Sequence, residues 1–380
     1  MSTYQLIILG PAAKASLEDL TAEVRKLFRH LDLNFDTHCT IVSDVPSAID
    51  WNNFTVGIWF GAEGASINGD EASLMKDVLE RGFTVFPVVS DGAPYQKAMP
   101  DFLYPINATA FDIPEIARDV ISGFRLTRRL RQAFISYRRT EATGIANQLF
   151  HELTDRRYKP FLDTVSIDAG VDFQGSLWSR MADVDLVILL DSPTALDSTW
   201  VHAEFNRAHD LGMGVVQLVW PGKARTPGTE FSVPVWLTAD DFVGDPANGS
   251  SIITAEVLAK IVDIVEDARI RSLCTRRTRL VEGVISTANP FGLTLVSQPN
   301  QHVELIKAGS KVGELIPFVG VPDSFSLHNH EIAMTYTPTF IIYNGLGVER
   351  SWIQHLAWLN NKSNVEVVQI DDLITHIGTL

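Results

Sequence analysis

With 380 residues, 46% of them hydrophobic, the chain exceeds one ordinary domain and can fill packed cores in two or three units. A formal net charge of −15 argues against non-specific binding to nucleic acid or to anionic lipid. Cys39 and Cys274 form neither a CxxC pair nor a ligand cluster, which excludes a disulfide framework and suits a reducing, cytoplasmic setting.

The N-terminus, MSTYQLIILGPAAK, lacks a basic region ahead of its short apolar run, so it does not read as a signal peptide. No stretch approaches the roughly 20 apolar residues needed to cross a bilayer, so no membrane association is expected. Apolar, β-branched runs then alternate with amphipathic helical segments, the pattern of a parallel sheet covered by helices. The expected strands are Gln5–Gly10, Val56–Phe60, Thr84–Val89, Ala133–Tyr137, Leu186–Leu190, Val215–Val219, Val281–Ser286, Thr339–Tyr343 and Val365–Ile370. Between the first two, Leu17, Leu20, Val24, Leu27, Phe28 and Leu31 recur at helical spacing and predict one buried helix face. The segment Thr287–Ala333 is rich in Gly, Pro and Asn and shows no clear helix.

The chain also resembles itself. Val56–Val89 lies without gaps on Leu186–Val219 after a shift of 130 positions, with VGIWF on LVILL and Gly82 on Gly212. A weaker third copy places TFIIYN on VILLDS and Trp352 on Trp200. Matching junctions, TRRLR at Thr127–Arg131 and TRRTR at Thr275–Arg279, mark the boundaries. The expected fold is α/β, with tandem flavodoxin-like units over 1–125, 126–275 and 276–380. Loop lengths in α/β units fall in a narrow range, so chance alignment of strand–helix–strand segments is the competing account.

Three stretches in the middle unit carry candidate chemistry. The first strand and its loop read AFISYRR, Ala133–Arg139; the second and its loop read YKPFLDTVSIDAGVDFQGSLWSRM, Tyr158–Met181. The third reads DVDLVILLDSPTALDSTWVHAEFNRA, Asp183–Ala208, a strand ending in Ser192-Pro193 followed by S-x-W-x-x-x-E at Ser198, Trp200 and Glu204. Ligands of a doubly wound sheet sit beyond the carboxyl ends of its strands, where these loops converge. Trp200 and Glu204 are four apart on a helix and share a face. A tryptophan offers a flat surface for a heteroaromatic ring, and a carboxylate one turn away can oppose charge at an anomeric carbon. The plain alternatives are a tryptophan packed on the sheet and an exposed glutamate paired with Arg207 or Lys159.

In this order and spacing the motifs resemble the TIR (Toll/interleukin-1 receptor) domain family, over about 140 residues from Arg131 to Arg271. Val201 departs from the pattern, since many members carry Cys after the Trp. The resemblance implies an NAD⁺ glycohydrolase of the NAD-hydrolysing bacterial type, with Glu204 as the catalytic residue and NAD as substrate rather than cofactor. By their place at or beyond the strand ends, Trp200, Ser136, Tyr137, Arg138, Arg139, Phe161, Asp163, Asp168 and Ser192 are the candidates to line the substrate pocket, with solvated loop residues the alternative for Ser136 to Arg139. The resemblance also implies homo-oligomer formation through TIR contacts, with the loop carrying Asp168 and Asp172 reaching a neighbouring subunit. An activating ligand or partner protein, and a setting in antiviral defence, follow from the same resemblance. The other class of function open to the family is a non-catalytic scaffold or nucleotide-signal-binding protein acting by self-association. His202 and His209 lack a third ligand, so no metal is expected. The repeats carry Leu74 and Leu356 where the middle unit has Glu204, so the flanking units are expected to be non-catalytic.

Overall fold

The computed structural model describes residues 3–45, 49–89, 93–128, 130–162, 173–332, 338–378 and 380, without the side chains of 173–176 and 332. The chain divides into two compact units, Met1–Arg129 and Leu130–Leu380.

In the first unit, β1 (Tyr4–Leu9) is buried along its whole length, as a strand covered by helices on both faces must be. Helix α1 (Ala13–His30) buries Leu20, Val24, Leu27 and Phe28, while Leu17 of the expected stripe lies at its margin. After α2 (Phe35–His38) and β2 (Cys39–Val42), the unit continues with β3 (Phe54–Phe60), α3 (Gly69–Glu80) and β4 (Thr84–Val89). It closes with α4 (Tyr95–Ala98), β5 (Thr109–Ala110) and α5 (Ile113–Gly123). The sheet order is β2-β1-β3-β4-β5 and every pairing is parallel.

The second unit begins with an equivalent sheet. It comprises β6 (Arg131–Tyr137), α6 (Arg139–Asp155), β7 (Tyr158–Leu162), α7 (Phe173–Asp183), β8 (Leu186–Asp191), α8 (Thr199–Asp210), β9 (Gly214–Val219) and β10 (Val233–Trp236). Read from β7, the order β7-β6-β8-β9-β10 is the order of the first sheet, again all parallel. Ile145, Ala146 and Leu149 of α6 cover one face, and Leu177, Met181, Val201 and Phe205 of α7 and α8 cover the other. Apart from Ala146, each such side chain, when fully buried, contributes about 1.5–3 kcal/mol. A ribbon of β11 (Phe242–Val243) and β12 (Ile252–Ile253) leads into α9.

Helix α9 (Ala255–Ala288) has 34 residues, a rod of about 51 Å. Its first half packs Leu258, Ile261, Val262 and Val265 on the β6–β10 sheet; its second half packs Val284 and Ala288 on the next. Val281–Ser286, expected as a strand, lies inside this helix, and the expected boundary at 275/276 falls within it. Val284 and Ala288, one turn apart, face the core together, so helical packing overrides the β-branched composition.

The last sheet departs from the expected repeat. β13 (Leu293–Ser297), β14 (Val303–Lys307) and β15 (Ser310–Pro317) form an antiparallel meander inside Thr287–Ala333. β16 (Thr339–Tyr343) and β17 (Val365–Gln369) extend it in parallel, in the order β13-β14-β15-β16-β17. Helices α10 (Ser324–Ile332) and α11 (Arg350–Asn360) connect the parallel strands, and α12 (Leu373–Ile377) ends the chain. The 276–380 segment is α/β but does not share the strand order of the other two sheets. Its likeness to them lies in two parallel strand–helix–strand elements, β15-α10-β16 and β16-α11-β17, of which the second is the stretch that aligned with the middle unit.

Candidate active site

Alternation along β6 decides which side chains reach the site. Phe134 lies in the core under α7 and α8, while Ile135 and Tyr137 lie in the core under α6 and α9. Ser136 therefore faces α8, and its hydroxyl donates to Glu204 Oε2 at 2.5 Å. Glu204 is 2% exposed, at the sixth position of α8, which sets it over the end of β6. Trp200, one turn earlier on the same helix, is 50% exposed. A sequestered carboxylate thus lies one helical turn from an accessible indole. Ser198 is the N-cap residue of this helix but makes no side-chain cap bond.

The other expected residues divide by position. Phe161 stacks on Phe134, with centroids 4.7 Å apart, and so packs on the Ser136 side of the sheet. Tyr137 is buried against the opposite helices, away from Glu204. Arg138 donates Nη1 to the Thr194 carbonyl at 2.7 Å, which commits it to joining the loops after β6 and β8. Arg139 opens α6 and is exposed. Ser192 is fully buried at the end of β8. Asp163 and Asp168 lie outside the described residues.

Two features of the site were not anticipated. Glu141 accepts from the Thr194 amide at 3.0 Å and from the Thr194 hydroxyl, and lies 3.8 Å from Arg138. Burial pushes its carboxyl up, but the bonds from Thr194, with the nearby Ser192 hydroxyl and the Arg138 charge, outweigh this and hold it below the usual glutamate value. The local signal was an acid in the first turn of a helix, a position the helix dipole favours. Second, fully buried Asp191 binds Lys223 Nζ and accepts from Gln217 Nε2 at 2.7 Å, while Lys223 also donates to the Ser192 carbonyl at 2.7 Å. No short-range signal marks this cluster, because Lys223 follows a different strand. Among the described residues no group of three His, Cys, Asp or Glu side chains could hold a metal ion, and no helix is long and apolar enough to cross a membrane.

Residues 133–240 match the family model of the TIR domain. No curated protein matches the sequence.

Proposed function

With residues 133–240 a TIR domain, we propose that the protein is an NAD⁺ glycohydrolase whose catalytic residue is Glu204. The observation that carries this reading is the buried Glu204 carboxylate, fixed by Ser136 one turn from the accessible Trp200. Trp200 would stack on a ring of the dinucleotide. Cleavage of the bond between nicotinamide and ribose releases nicotinamide as a neutral molecule, so no general acid is required. The electron pair of that bond leaves with nicotinamide, and the cation left at the anomeric carbon is what Glu204 opposes. Water then adds at that carbon and loses a proton, giving ADP-ribose; attack by an adenine nitrogen in place of water gives a cyclic product. The chemistry needs no cofactor, and NAD⁺ is the substrate.

Arg138, Thr194 and Glu141 would hold the two flanking loops in register rather than grip phosphate, since each is engaged with another. Regulation by self-association or by a signal, with depletion of NAD⁺ in defence against viruses as the setting, belongs to the same proposal. The test is incubation of the purified protein with NAD⁺ and chromatography of the products, alongside Glu204→Gln. Nicotinamide release by the wild type and none by the variant is the expected result. Equal release by a folded Glu204→Gln protein overturns it.

The alternative is a scaffold acting by self-association. It is favoured by the first unit, which has the same strand order and carries half-buried Leu74 at the sixth position of α3, where α8 has Glu204. Wild-type protein that assembles but leaves NAD⁺ intact under all conditions supports that reading.

A further inference from the structure

A second cavity, of about 140 Å³, opens at the carboxyl ends of β15, β16 and β17, outside the site of Glu204. Gly320 follows β15, Asn344 follows β16 and Ile370 follows β17, and all three line it. This is the end of a parallel sheet where α/β folds bind ligands. Arg276 and Arg279 of α9 and Asp210 at the end of α8 line it as well.

The polar groups here are not equally available. Arg276 is buried and donates to the Val184 carbonyl at 2.7 Å. Asp210 lies 3.8 Å from His209. Asn344 uses its side-chain oxygen to accept from the Leu346 amide, which leaves its amide nitrogen to donate. Arg279 is exposed and makes no hydrogen bond or ion pair among the described residues. Its guanidinium lies against Gly212, where an added Cβ would fall 1.9 Å from Nη1. Gly212 has φ +62° and follows α8, so an uncommitted cation rests on the end of the helix that carries Glu204.

We propose that this cavity binds a small anionic molecule, a phosphate or carboxylate, through Arg279 and the Asn344 amide, and that its occupancy is felt at the end of α8. A guanidinium matches either anion with two parallel hydrogen bonds, and here it shares the cavity with residues that follow three parallel strands. The volume is close to the roughly 150 Å³ of a cavity that admits one benzene-sized molecule, so it takes a phosphate or small acid and not a dinucleotide. The site is independent of the chemistry proposed for Glu204.

The test is isothermal titration calorimetry of the full chain with inorganic phosphate, ribose 5-phosphate and acetate at constant ionic strength, paired with amide hydrogen exchange. Saturable binding by the wild type is expected. Arg279→Gln should weaken it about tenfold or more, the loss of a charge-assisted hydrogen bond, and Arg279→Lys should weaken it less. Glu204→Gln should bind as the wild type does, which separates this site from the other. Binding should slow exchange of the Met213 amide, which donates to the Ala208 carbonyl at the end of α8. Phosphate preferred over acetate identifies a phosphate site, and the reverse a carboxylate site. No saturable binding of any of the three, or equal binding by Arg279→Gln, overturns the proposal. Binding without slower exchange at Met213 overturns the link to α8.

Discussion

Glu204 occupies a place where an ionised carboxylate costs several kcal/mol unless its oxygens are paired. Only 2% of it is exposed, and the Ser136 hydroxyl is a donor it cannot easily lose. Glu204→Ala should abolish NAD⁺ cleavage while leaving the protein folded. Retained turnover in that variant contradicts the assignment. Ser136→Ala should keep the fold yet lower kcat by about tenfold to a hundredfold, as expected for losing a hydrogen bond to a charged group. Steady-state kinetics of nicotinamide release will check it. Glu141 makes a different prediction, about pH. Its folded carboxyl titrates below the ordinary glutamate value of 4.5, so the stability it adds is present above that value and is lost as pH falls through the lower one. Glu141→Gln should lose about 1 kcal/mol at neutral pH and less in acid, so the two urea-unfolding midpoints should converge as pH drops. At this scale the sequence revealed what lies within one helix. Trp200 and Glu204 are four residues apart, and their shared face follows from helical geometry alone. The partner of Glu204 is 68 residues away, and Tyr137, adjacent to that partner, faces the other side because strands alternate.

Among the elements, α9 was the hardest to read and bears the most weight. Its middle is held beneath the β6–β10 sheet by buried charge: Arg269 Nε meets Asp185 Oδ2 at 2.6 Å, and Arg131 lies 3.1 Å from Glu266. Ser272 donates to the Asp185 carbonyl and accepts from the Gly214 amide, both at 2.8 Å. Burial pushes the Tyr158 hydroxyl well above its ordinary value, with the neighbouring Glu266 charge adding to the effect. Asp185→Asn should leave buried Arg269 with Glu266, 3.7 Å from its Nη1, as its remaining counter-charge, and destabilise the protein by about 3 kcal/mol. A loss of unfolding free energy, from urea denaturation, of less than a third of that would show the pair to be dispensable. These charges sit at the amino ends of the strands, away from Glu204, so activity of the surviving folded fraction should be normal. The sequence obscured this arrangement because each ion pair joins distant segments and because Val281–Ser286 has strand-like composition. The meander β13-β14-β15 was obscured for the opposite reason. Its strands are short, its turns use Gly, Pro and Asn, and β13 is half-exposed, so no apolar run announced it.

For the whole molecule, the continuous helix changes where the chain can be divided. Sequence repeats placed a boundary near 275, which would allow Leu126–Leu273 to stand alone. A cut there severs α9 in its middle and deletes Arg276, which donates to the Val184 carbonyl. It also removes the segment whose Val321 amide donates to Asp183 Oδ1 at 2.9 Å. The contacts instead define Leu130–Leu380 as one compact unit. A fragment of residues 130–380 should therefore unfold in one cooperative transition, whereas 126–273 should melt earlier or aggregate through the exposed half-helix. If Glu204 acts as proposed, the longer fragment should cleave NAD⁺, and adding Glu204→Gln to it should stop the reaction. Any difference in specific activity between this fragment and the full chain then measures what Met1–Arg129 contributes. That unit has the same sheet order as the TIR domain but carries Leu74 at the equivalent helix position, so its contribution should be to assembly or control. Light scattering across a dilution series separates the two. If the first unit drives assembly, the full chain should lose activity and oligomer size together on dilution, while the fragment should stay small at every concentration. Identical behaviour of the two proteins would assign self-association to residues 130–380 and leave the first unit with no part in it.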